Sequence, residues 1–449
     1  MNVTVVGTGY IGLVAAACLA ERGHRVTCVD TDAARLAAIE AGRVPFHEPG
    51  LDDLVAAGRA AGRLRTSGDL AAAVTDSALS MVAVGTPSTD GAIDLRFVDG
   101  AVAEIGAALR RHPSPHVVAI KSTVVPGTTI GPVRRRLESA SGHSAGTSWG
   151  LAMNPEFTRE GCAVRDFLEP DRIVIGHADP RARAVLDELY ASFDCPKLFT
   201  SPTNAEMIKY AANALLATLV SFGNEIAGLC EVTPDADAEL VMRGVTLDRR
   251  CRVDAGGTTH APELLAYLRA GIGFGGSCLP KDVLALSAYG RGATASTGLL
   301  DAVLTVNAGR AAALVRQAEA ALGGLRGTEI AVLGLAFKPG TDDVRNSPAA
   351  ALIQRLLGAG ATVRAYDPVA TRVGDGESLA HVRRCESAEE ALDGVDAALL
   401  ATAWPEFAAL DWARLVRTMR RPVVGDGRGL LAAVDWPDDV TYFRVGKMI

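Results

Sequence analysis

The fold is decided by the stretch VTVVGTGYIG, residues 3–12. Residues 3–6 are β-branched and mostly apolar and predict a buried strand, and the mostly apolar residues 10–22 predict a helix. Between them, GTGYIG has the spacing G-x-G-x-x-G. A second predicted strand, residues 25–29, leads into Asp30, which comes 18 residues after Gly12. A glycine turn in this setting predicts the dinucleotide-binding unit of a Rossmann-like domain.

Each part of this motif has a chemical use. Gly7 permits the tight turn, Gly9 lets the backbone approach a pyrophosphate, and Gly12 lets the helix pack on the sheet. The N-terminus of the helix attracts negative charge. The Asp30 carboxylate can accept hydrogen bonds from a ribose diol and repels a 2′-phosphate, so the motif favours NAD over NADP. A purely structural glycine turn is the alternative interpretation.

Strand and helix patterns alternate on both sides of one long helical segment. Apolar residues at helical spacing over residues 202–230 predict a central helix, and the Arg-, Gly- and Thr-rich residues 248–262 predict an irregular loop. The further predicted strands are residues 79–84, 116–120, 150–153, 329–333, 362–366, 397–401 and 422–424. Such alternation predicts parallel, doubly wound sheets.

The fold prediction is therefore the α/β class, with two Rossmann-like doubly wound domains joined by a long central helix and a small helical domain. The predicted boundaries are 1–200 for an NAD-binding domain, 201–310 for a central helical domain with a cysteine loop, and 311–449 for a C-terminal α/β domain.

Composition narrows the function classes. The 449-residue chain has a net charge of −7 and 22% charged residues, which favours neither nucleic acid nor an anionic membrane as a partner. No run reaches the roughly 18 uninterrupted apolar residues of a membrane span. The sequence therefore predicts a cytoplasmic protein. In such a protein the eight scattered cysteines, which form no C-x2-C pair, are expected to be free thiols, and no His/Cys cluster has the spacing of metal ligands.

Three further blocks follow predicted strands of the first domain. GTPS at residues 85–88 and KSTVVPGT at residues 121–128 place small and hydroxyl side chains at the carboxyl edge of the sheet, where a cofactor binds. NPEFTREG at residues 154–161 carries Glu156 and Glu160, which could share one site and activate water. Turns and solvated surface carboxylates are the alternative interpretations.

Two blocks suggest chemistry in the middle of the chain. Glu206, Lys209 and Asn213 lie at i, i+3 and i+7 and share a helix face, and a buried lysine can stabilise an oxyanion. GIGFGGSCLPKD, residues 271–282, surrounds Cys278 with glycines and places Asp282 four residues later. Such a thiol is a candidate nucleophile.

The last block, GLAFKPGTDDVR at residues 334–345, follows a strand of the C-terminal domain. Lys338 and Arg345 could meet phosphates. Its glycine spacing is not G-x-G-x-x-G, so the sequence predicts no second dinucleotide site there.

Taken in order, these six blocks resemble the UDP-glucose/GDP-mannose dehydrogenase family from residue 1 to the mid-420s. The strings NPEF-x-REG, GFGGSC-x-PKD and FKPGTDDVR carry the resemblance. It implies NAD as cofactor and a nucleotide-sugar substrate. It also implies that the central helical domain, 201–310, forms a homodimer through its long helix and that the C-terminal α/β domain, 311–449, binds the nucleotide sugar. It also implies a four-electron oxidation of a primary alcohol to a carboxylate through a cysteine thiohemiacetal and thioester.

The resemblance also implies residue roles. Cys278 would be the nucleophile, Lys209 and Asn213 would stabilise oxyanions, Asp282 and Thr123 would handle protons through a water, and Glu156 would assist thioester hydrolysis. The implied cofactor set is Gly7, Gly9, Tyr10, Ile11, Gly12, Asp30, Arg35, Gly85, Thr86, Pro87, Ser122, Thr123, Glu160 and Arg345. The implied substrate set is Glu156, Phe157, Thr158, Lys209, Asn213, Tyr267, Leu268, Gly273, Phe274, Gly275, Phe337, Lys338 and Arg428.

One departure leaves the substrate open. UDP-glucose members usually carry Arg-Ile-Gly shortly before the cysteine loop, where this chain has Pro262-Glu263-Leu264 after a longer loop that contains Arg249, Arg250 and Arg252. UDP-glucose is the leading substrate, and GDP-mannose and dTDP-glucose are alternatives. A two-electron hydroxy-acid dehydrogenase and a non-catalytic nucleotide-sugar binder are the competing classes.

Overall fold

A computed structural model describes residues 1–89, 91–111, 115–255, 258–374, 377–380 and 382–448. The chain divides into two compact units, Met1–Ala212 and Asn213–Ile449. The helix Pro202–Cys230 begins in the first unit and ends in the second.

The first unit is built on an eight-stranded sheet with the order β10-β9-β8-β7-β4-β1-β2-β3. Its strands are β1 Asn2–Val6, β2 Arg25–Val29, β3 Leu64–Ser67, β4 Leu79–Val82, β7 His116–Ile120, β8 Trp149–Met153, β9 Ile173–His177 and β10 Lys197–Thr200, with a two-stranded ribbon of β5 Ser88–Thr89 and β6 Ala92–Ile93. Neighbouring strands of the large sheet are parallel except β8 and β9. Their apolar side chains form a buried cluster on each face of the sheet.

Helices cover both faces of this sheet and connect its strands. They are α1 Tyr10–Glu21, α2 Ala33–Glu40, α3 Leu51–Ala60, α4 Leu70–Thr75, α5 Arg96–Leu109, α6 Arg134–Ser141, α7 Ala163–Leu168, α8 Pro180–Leu189 and the long α9 Pro202–Cys230. A π-helical turn, Thr129–Val133, leads into α6. Asp32, Asp69 and Asp179 begin α2, α4 and α8, where each side chain accepts a hydrogen bond from a first-turn N–H.

The second unit contains a six-stranded, fully parallel sheet with the order β15-β14-β13-β16-β17-β18. These strands are β13 Glu329–Leu333, β14 Thr362–Tyr366, β15 Arg383–Arg384, β16 Ala397–Leu400, β17 Val423–Asp426 and β18 Thr441–Arg444. Its helices are α10 Ala238–Thr246, α11 Leu279–Gly292, α12 Gly298–Leu322, α13 Pro348–Gly358, α14 Glu377–Ala380, α15 Ala388–Leu392, α16 Pro405–Ala408 and α17 Trp412–Leu415. This unit has its own large apolar core and a smaller cluster under the cysteine loop.

The architecture confirms the predicted α/β fold with two Rossmann-like sheets and a long central helix. The prediction for residues 248–262 is wrong. That segment forms a 3-10 turn, Arg249–Cys251, and an antiparallel hairpin of β11 Val253–Ala255 and β12 Thr258–His260. The strands are only three residues long, too short to show a period-2 pattern.

Two helices, Pro202–Cys230 and Gly298–Leu322, are long and apolar enough by composition to cross a bilayer. Each also carries buried charged groups, Glu206 and Lys209 in the first and Arg310 in the second, that pair with protein partners. Core helices of folded domains have the same length and composition, so these two helices are weak evidence for a membrane span.

Candidate active site

The glycine turn after β1 is tightly packed on one side and open on the other. Gly7 has a φ of +95°, and a Cβ there would lie 2.8 Å from the Ala83 carbonyl oxygen. A Cβ on Gly12 would lie 1.8 Å from the carbonyl oxygen of Gly7. A Cβ on Gly9 would meet no atom within 4 Å, which leaves its backbone accessible to a ligand. The turn therefore fits the close approach of a pyrophosphate.

Asp30 lies beside this turn at the end of β2. Its carboxylate accepts hydrogen bonds from the Thr8 N–H and hydroxyl, each at 2.7 Å, from the Asp32 N–H at 2.9 Å, and from Arg35 Nη1 at 3.2 Å. Burial raises the pKa of Asp30, but these hydrogen bonds and the Arg35 charge outweigh burial and hold the pKa below its usual value. Asp30 is therefore an anion beside the turn, where it can accept ribose hydroxyls and disfavours a phosphate.

A cavity of about 870 Å³ opens against these residues. Five of the sequence-predicted cofactor residues line it, namely Gly7, Gly9, Asp30, Arg35 and Gly85. Lining residues that the sequence analysis missed include Gly68, Arg96, Phe97, Gly100 and Glu104. No motif marks them, because most come from α5, which reaches the cavity only through the fold.

Other predicted cofactor residues lie away from the cavity wall. The Ser122 hydroxyl donates to the Val84 carbonyl oxygen at 2.7 Å and so positions the loop that carries Gly85, Thr86 and Pro87. Thr123 follows it and is half-buried. Ile11 and Gly12 lie in the first turn of α1. Arg345, in the second unit, is paired with Asp343 at 2.7 Å.

Tyr10 anchors the NPEFTREG loop. Its hydroxyl donates to the Glu48 carboxylate and accepts a 3.0 Å hydrogen bond from the Gly161 N–H, which also donates to Glu48 at 2.7 Å. Burial raises the pKa of Tyr10, with smaller contributions from Glu48 and Glu160. Glu160 thus acts on Tyr10, whereas Glu156 has a lysine partner. That Glu156 and Glu160 share one site stays a prediction.

Glu156 forms a buried ion pair with Lys209 of α9. Lys209 Nζ lies 2.7 Å from Glu156 Oε1, and the two side chains are 4% and 6% exposed. The Thr158 N–H and hydroxyl donate to Glu156 Oε2, each at 2.7 Å. Burial raises the pKa of Glu156, but Lys209 and Thr158 outweigh it and lower the pKa overall. The centroid of the Phe157 ring lies 5.6 Å from Lys209 Nζ and 4.0 Å from the Arg172 guanidinium carbon.

Glu206, one turn before Lys209, holds the loop after Thr123. Its carboxylate accepts hydrogen bonds from the Gly127 N–H at 2.6 Å, and from the Thr129 N–H and hydroxyl at 2.7 and 2.6 Å. The sequence pattern places Glu206 on one helix face with Lys209 and Asn213 but predicts no role for it. The structure shows that it satisfies the N-terminal N–H groups of the helical segment that leads into α6.

In the second unit, Cys278 is the N-cap residue of α11. It is half-buried, and its Sγ lies 3.6 Å from the Ser277 hydroxyl. Its carbonyl oxygen accepts the Asp282 N–H at 2.9 Å, which places Asp282 one turn into the helix. The N-terminus of a helix favours negative charge on a neighbouring group, so a thiolate is stabilised at this position.

Asp282 is 1% exposed and has two partners. Asn213 Nδ2 donates to one carboxylate oxygen and Lys281 Nζ to the other, each at 2.6 Å. The structure therefore brings Asn213 and Asp282 together, as the family resemblance implies for one site.

The glycine loop before Cys278 is clamped by polar side chains. The Gly271 N–H donates to Asn224 Oδ1 at 2.8 Å, and Asn307 binds both the N–H and the carbonyl of Phe274, at 2.8 and 3.0 Å. Gly275 leaves no room for a side chain, since a Cβ there would lie 2.3 Å from the Asn346 carbonyl oxygen. This packing fixes the path of the backbone up to Cys278.

Arg428 also holds this loop. Its Nη1 donates to the Gly273 carbonyl oxygen at 2.9 Å and its Nε to the Ala401 carbonyl oxygen at 2.7 Å. Burial lowers its pKa to about 10, and Asp426 partly offsets this. Arg428 thus ties β16 to the cysteine loop.

The remaining predicted substrate residues surround this loop. A Cβ on Gly276 would lie 2.9 Å from the Phe337 ring, and Lys338 Nζ lies 5.7 Å from the centroid of the same ring. Tyr267 and Leu268 end a 3-10 turn, Glu263–Leu268, in which Leu268 is buried.

The second sheet has its own acid after its second strand, Asp367. This residue is 1% exposed and accepts hydrogen bonds from the N–H groups of Leu335 and Ala336 at 2.7 and 3.0 Å and from Trp404 Nε1 at 3.0 Å. Both acids accept hydrogen bonds from protein groups, but Asp367 is buried, whereas Asp30 lines a cavity. That the last domain holds no second dinucleotide site stays a prediction.

Three family models match successive parts of the chain. They describe the UDP-glucose/GDP-mannose dehydrogenase family, with its NAD binding domain at residues 1–194, its central domain at 203–309 and its UDP binding domain at 331–433. A UDP-glucose 6-dehydrogenase of Haloferax volcanii is 44% identical over 96% of this chain and 97% of that protein.

Solved structures agree with these matches. A UDP-glucose dehydrogenase of Pyrobaculum islandicum has a TM-score of 0.88 and 38% identity, over 99% of this chain and 98% of that chain. A UDP-D-ManNAc dehydrogenase of Pyrococcus horikoshii has a TM-score of 0.85 and 28% identity, over 100% and 99% of the two chains.

A glycine turn with a neighbouring acid and cavity, joined in one chain to a second α/β sheet, defines an NAD-dependent dehydrogenase. More particularly, the chain belongs to the UDP-glucose/GDP-mannose dehydrogenase family, and it is an oxidoreductase of nucleotide sugars.

Proposed function

We propose that this enzyme oxidises the C6 alcohol of UDP-glucose to the carboxylate in two hydride transfers, through a thioester on Cys278. The observation that carries the proposal is the position of Cys278, half-buried at the N-terminus of α11 and at the end of a clamped glycine loop. The curated relatives named UDP-glucose 6-dehydrogenase, at 38–44% identity, support this substrate.

The residues of the first unit fit NAD. The open backbone at Gly9, the anionic Asp30 and the cavity of about 870 Å³ suit a pyrophosphate and an unphosphorylated ribose. NAD, when bound, accepts the hydride in each oxidation. We propose that the remaining residues of the predicted cofactor set, which include Glu160 and Arg345, also contribute to the NAD site.

Cys278 carries the covalent steps. Its thiolate adds to the carbon of the aldehyde formed by the first oxidation, and the resulting oxyanion takes a proton to give a thiohemiacetal. Loss of a second hydride and of the hydroxyl proton gives a thioester. Water then adds to the carbonyl carbon, the C–S bond breaks, and the carboxylate leaves with the Cys278 thiolate restored.

The two polar pairs supply proton handling and charge stabilisation. Lys209 donates hydrogen bonds to developing oxyanions, and Glu156 takes a proton from the hydrolytic water. Asn213, held by Asp282, is the second oxyanion donor. Asp282 and Thr123 move protons of the alcohol through a water.

The substrate set proposed from the sequence combines residues of the glycine loop with Phe337 and Lys338. The described hydrogen bonds of Arg428 go to backbone carbonyl oxygens. We therefore propose that Arg428 affects substrate binding indirectly, by holding the glycine loop in place. The replacement of Arg-Ile-Gly by Pro262-Glu263-Leu264 keeps GDP-mannose and dTDP-glucose as the second candidates.

We also propose a homodimer formed through α9. Four large apolar side chains lie about two turns apart along one face of this helix and are exposed, namely Met207 at 39%, Leu215 at 51%, Phe222 at 49% and Leu229 at 59%. Burial of such a stripe against a second copy removes it from water. We propose a cytoplasmic location as well, because the cysteines are scattered without a C-x2-C pair and no apolar run in the sequence reaches the length of a membrane span.

The test is NADH formation with UDP-glucose, GDP-mannose and dTDP-glucose in parallel, in wild type, Cys278→Ala and the matched Cys251→Ala. We expect two NADH per sugar with one donor, loss of steady turnover in Cys278→Ala, and wild-type turnover in Cys251→Ala. One NADH per sugar, or steady turnover in Cys278→Ala, would contradict the covalent route and favour a two-electron dehydrogenase.

A further inference from the structure

A second lysine is buried beside the Glu156–Lys209 pair. Lys121 follows β7 and is 3% exposed. Its Nζ donates to Asn154 Oδ1 at 3.2 Å and lies 5.5 Å from the centroid of the Phe167 ring. An ammonium group has three donors, and one hydrogen bond to a neutral oxygen is poor compensation for its burial. Because this burial costs free energy that one hydrogen bond does not offset, we expect Lys121 to have a functional role.

Asn154 connects Lys121 to the turn that carries Glu156. Its N–H donates to the Ile120 carbonyl oxygen at 2.8 Å, and its Nδ2 donates to the Val174 carbonyl oxygen at 2.9 Å. Its Oδ1 accepts from Lys121 and also from the Tyr190 hydroxyl, at 2.6 Å. One oxygen is therefore held by a charged donor and a neutral donor, and Glu156 comes two residues later in the same turn.

The cluster holds two ammonium groups and one carboxylate. The charged groups that act on Lys121 are Glu156, from the turn after β8, and Lys209, from α9, and the Tyr190 hydroxyl meets it across Asn154. Burial lowers the pKa of Lys121 to about 8, the Glu156 charge raises it, and the Lys209 charge lowers it. Below about pH 8, the charge of Lys121 is thus added to that of Lys209 around Glu156.

We propose that Lys121 is a positioning residue for thioester hydrolysis, which acts through Asn154 and through its charge to keep Glu156 ionised and in place. This inference rests on the proposed role of Glu156 as the group that takes the proton of the hydrolytic water. A positive charge nearby lowers the pKa of a carboxylate. Loss of the charge therefore raises the pKa of Glu156, so that less of it is ionised at low pH.

The test compares Lys121→Met with wild type by rapid mixing with NAD and sugar nucleotide. The rate of the NADH burst should change by less than about twofold, because the oxidation steps do not use Glu156, whereas steady turnover should fall on the order of tenfold. The acid limb of the steady-state pH profile should move to higher pH. An unchanged acid limb in Lys121→Met would overturn the proposal.

Two further variants separate charge from packing. Lys121→Arg keeps the charge and should keep the wild-type acid limb, and a shift of similar size in both Lys121 variants would assign the role to packing and overturn the proposal. Tyr190→Phe removes the neutral hydrogen bond to the same Asn154 oxygen and should leave the acid limb in place. Lys197→Met, a lysine on β10 outside this cluster, is the surface control.

The two proposals fail in different ways. If wild type releases one NADH per sugar, or Cys278→Ala turns over, the covalent route fails whatever Lys121 does. If the covalent route holds and the Lys121→Met pH profile matches wild type, only the role of Lys121 fails. Tight NAD binding by each variant, measured by fluorescence, shows that the first unit is folded.

Discussion

The Asp30 carboxylate accepts four hydrogen bonds and still lines the proposed cofactor cavity. Its negative charge is the feature that opposes a 2′-phosphate, while Arg35 stands beside it as a cation. In Asp30→Asn we expect the ratio of the NADP to the NAD dissociation constant to fall by at least about tenfold. Cofactor titration by fluorescence measures it, with the exposed Asp53→Asn as control. An unchanged ratio would contradict the assignment.

Lys121 also predicts how stability depends on pH. Because burial lowers its pKa to about 8 from 10.5, the unfolded chain binds one more proton than the folded chain between these values. Stability contributed by this group is therefore reduced below about pH 8 and rises with pH up to 10.5. The slope is at most about 1.4 kcal/mol per pH unit.

Urea unfolding from pH 7 to pH 10.5 checks this expectation. The free energy of unfolding of wild type minus that of Lys121→Met should rise across the interval. A flat difference would show that Lys121 has an ordinary pKa in the folded protein.

For single residues, the sequence indicated the residues that form the glycine turn more clearly than it indicated which side chains contact each other in the folded protein. GTGYIG and the acid after the second strand were sufficient to predict a cofactor turn, because their chemistry is local. Lys121 stood inside a quoted block without being selected, since its burial and its contact with Asn154 depend on two strands that meet only in the folded sheet.

At the level of elements, the glycine loop before Cys278 depends on contacts from several parts of the second unit. Arg428 donates to the carbonyl oxygens of Gly273 and Ala401, and its removal leaves both buried oxygens without this donor. Arg428→Met should lower the free energy of unfolding by about 3 kcal/mol. The exposed Arg417→Met is the control, and equal losses in urea unfolding would contradict the clamp.

The helix α9 matches its predicted bounds because apolar positions recur over its whole length and Pro202 marks its first residue. Short elements were missed. The β11–β12 hairpin has three residues per strand, and the antiparallel joint between β8 and β9 leaves no mark in their hydrophobic patterns. The direction of a strand depends on the segment that connects it to its neighbour. The composition of the strand alone does not encode that direction.

For the whole molecule, the exposed apolar stripe of α9 predicts assembly. A charge at its centre, in Phe222→Glu, should convert the proposed dimer to monomer at micromolar concentration, because a buried unpaired carboxylate costs several kcal/mol. Analytical ultracentrifugation measures this. Leu198→Glu, at an equally exposed apolar position on β10, should leave the mass unchanged. A wild type that sediments as a monomer would contradict the proposal.

The predicted fold class and family are confirmed by the two parallel sheets, the long helix and the three matching family models. Substrate identity remained open because it depends on a few side chains at loop positions. The family strings leave those positions free to vary, as Pro262-Glu263-Leu264 shows.

The central claim is that a thioester forms on Cys278. The most direct measurement is the intact mass and peptide map of Glu156→Gln, quenched in acid during turnover with NAD and UDP-glucose. Because hydrolysis is slowed in this variant, we expect a covalent nucleotide-uronyl adduct on the peptide that contains Cys278, and none in the double variant with Cys278→Ala. Product formation by Glu156→Gln with no adduct at any time of quenching would contradict the account.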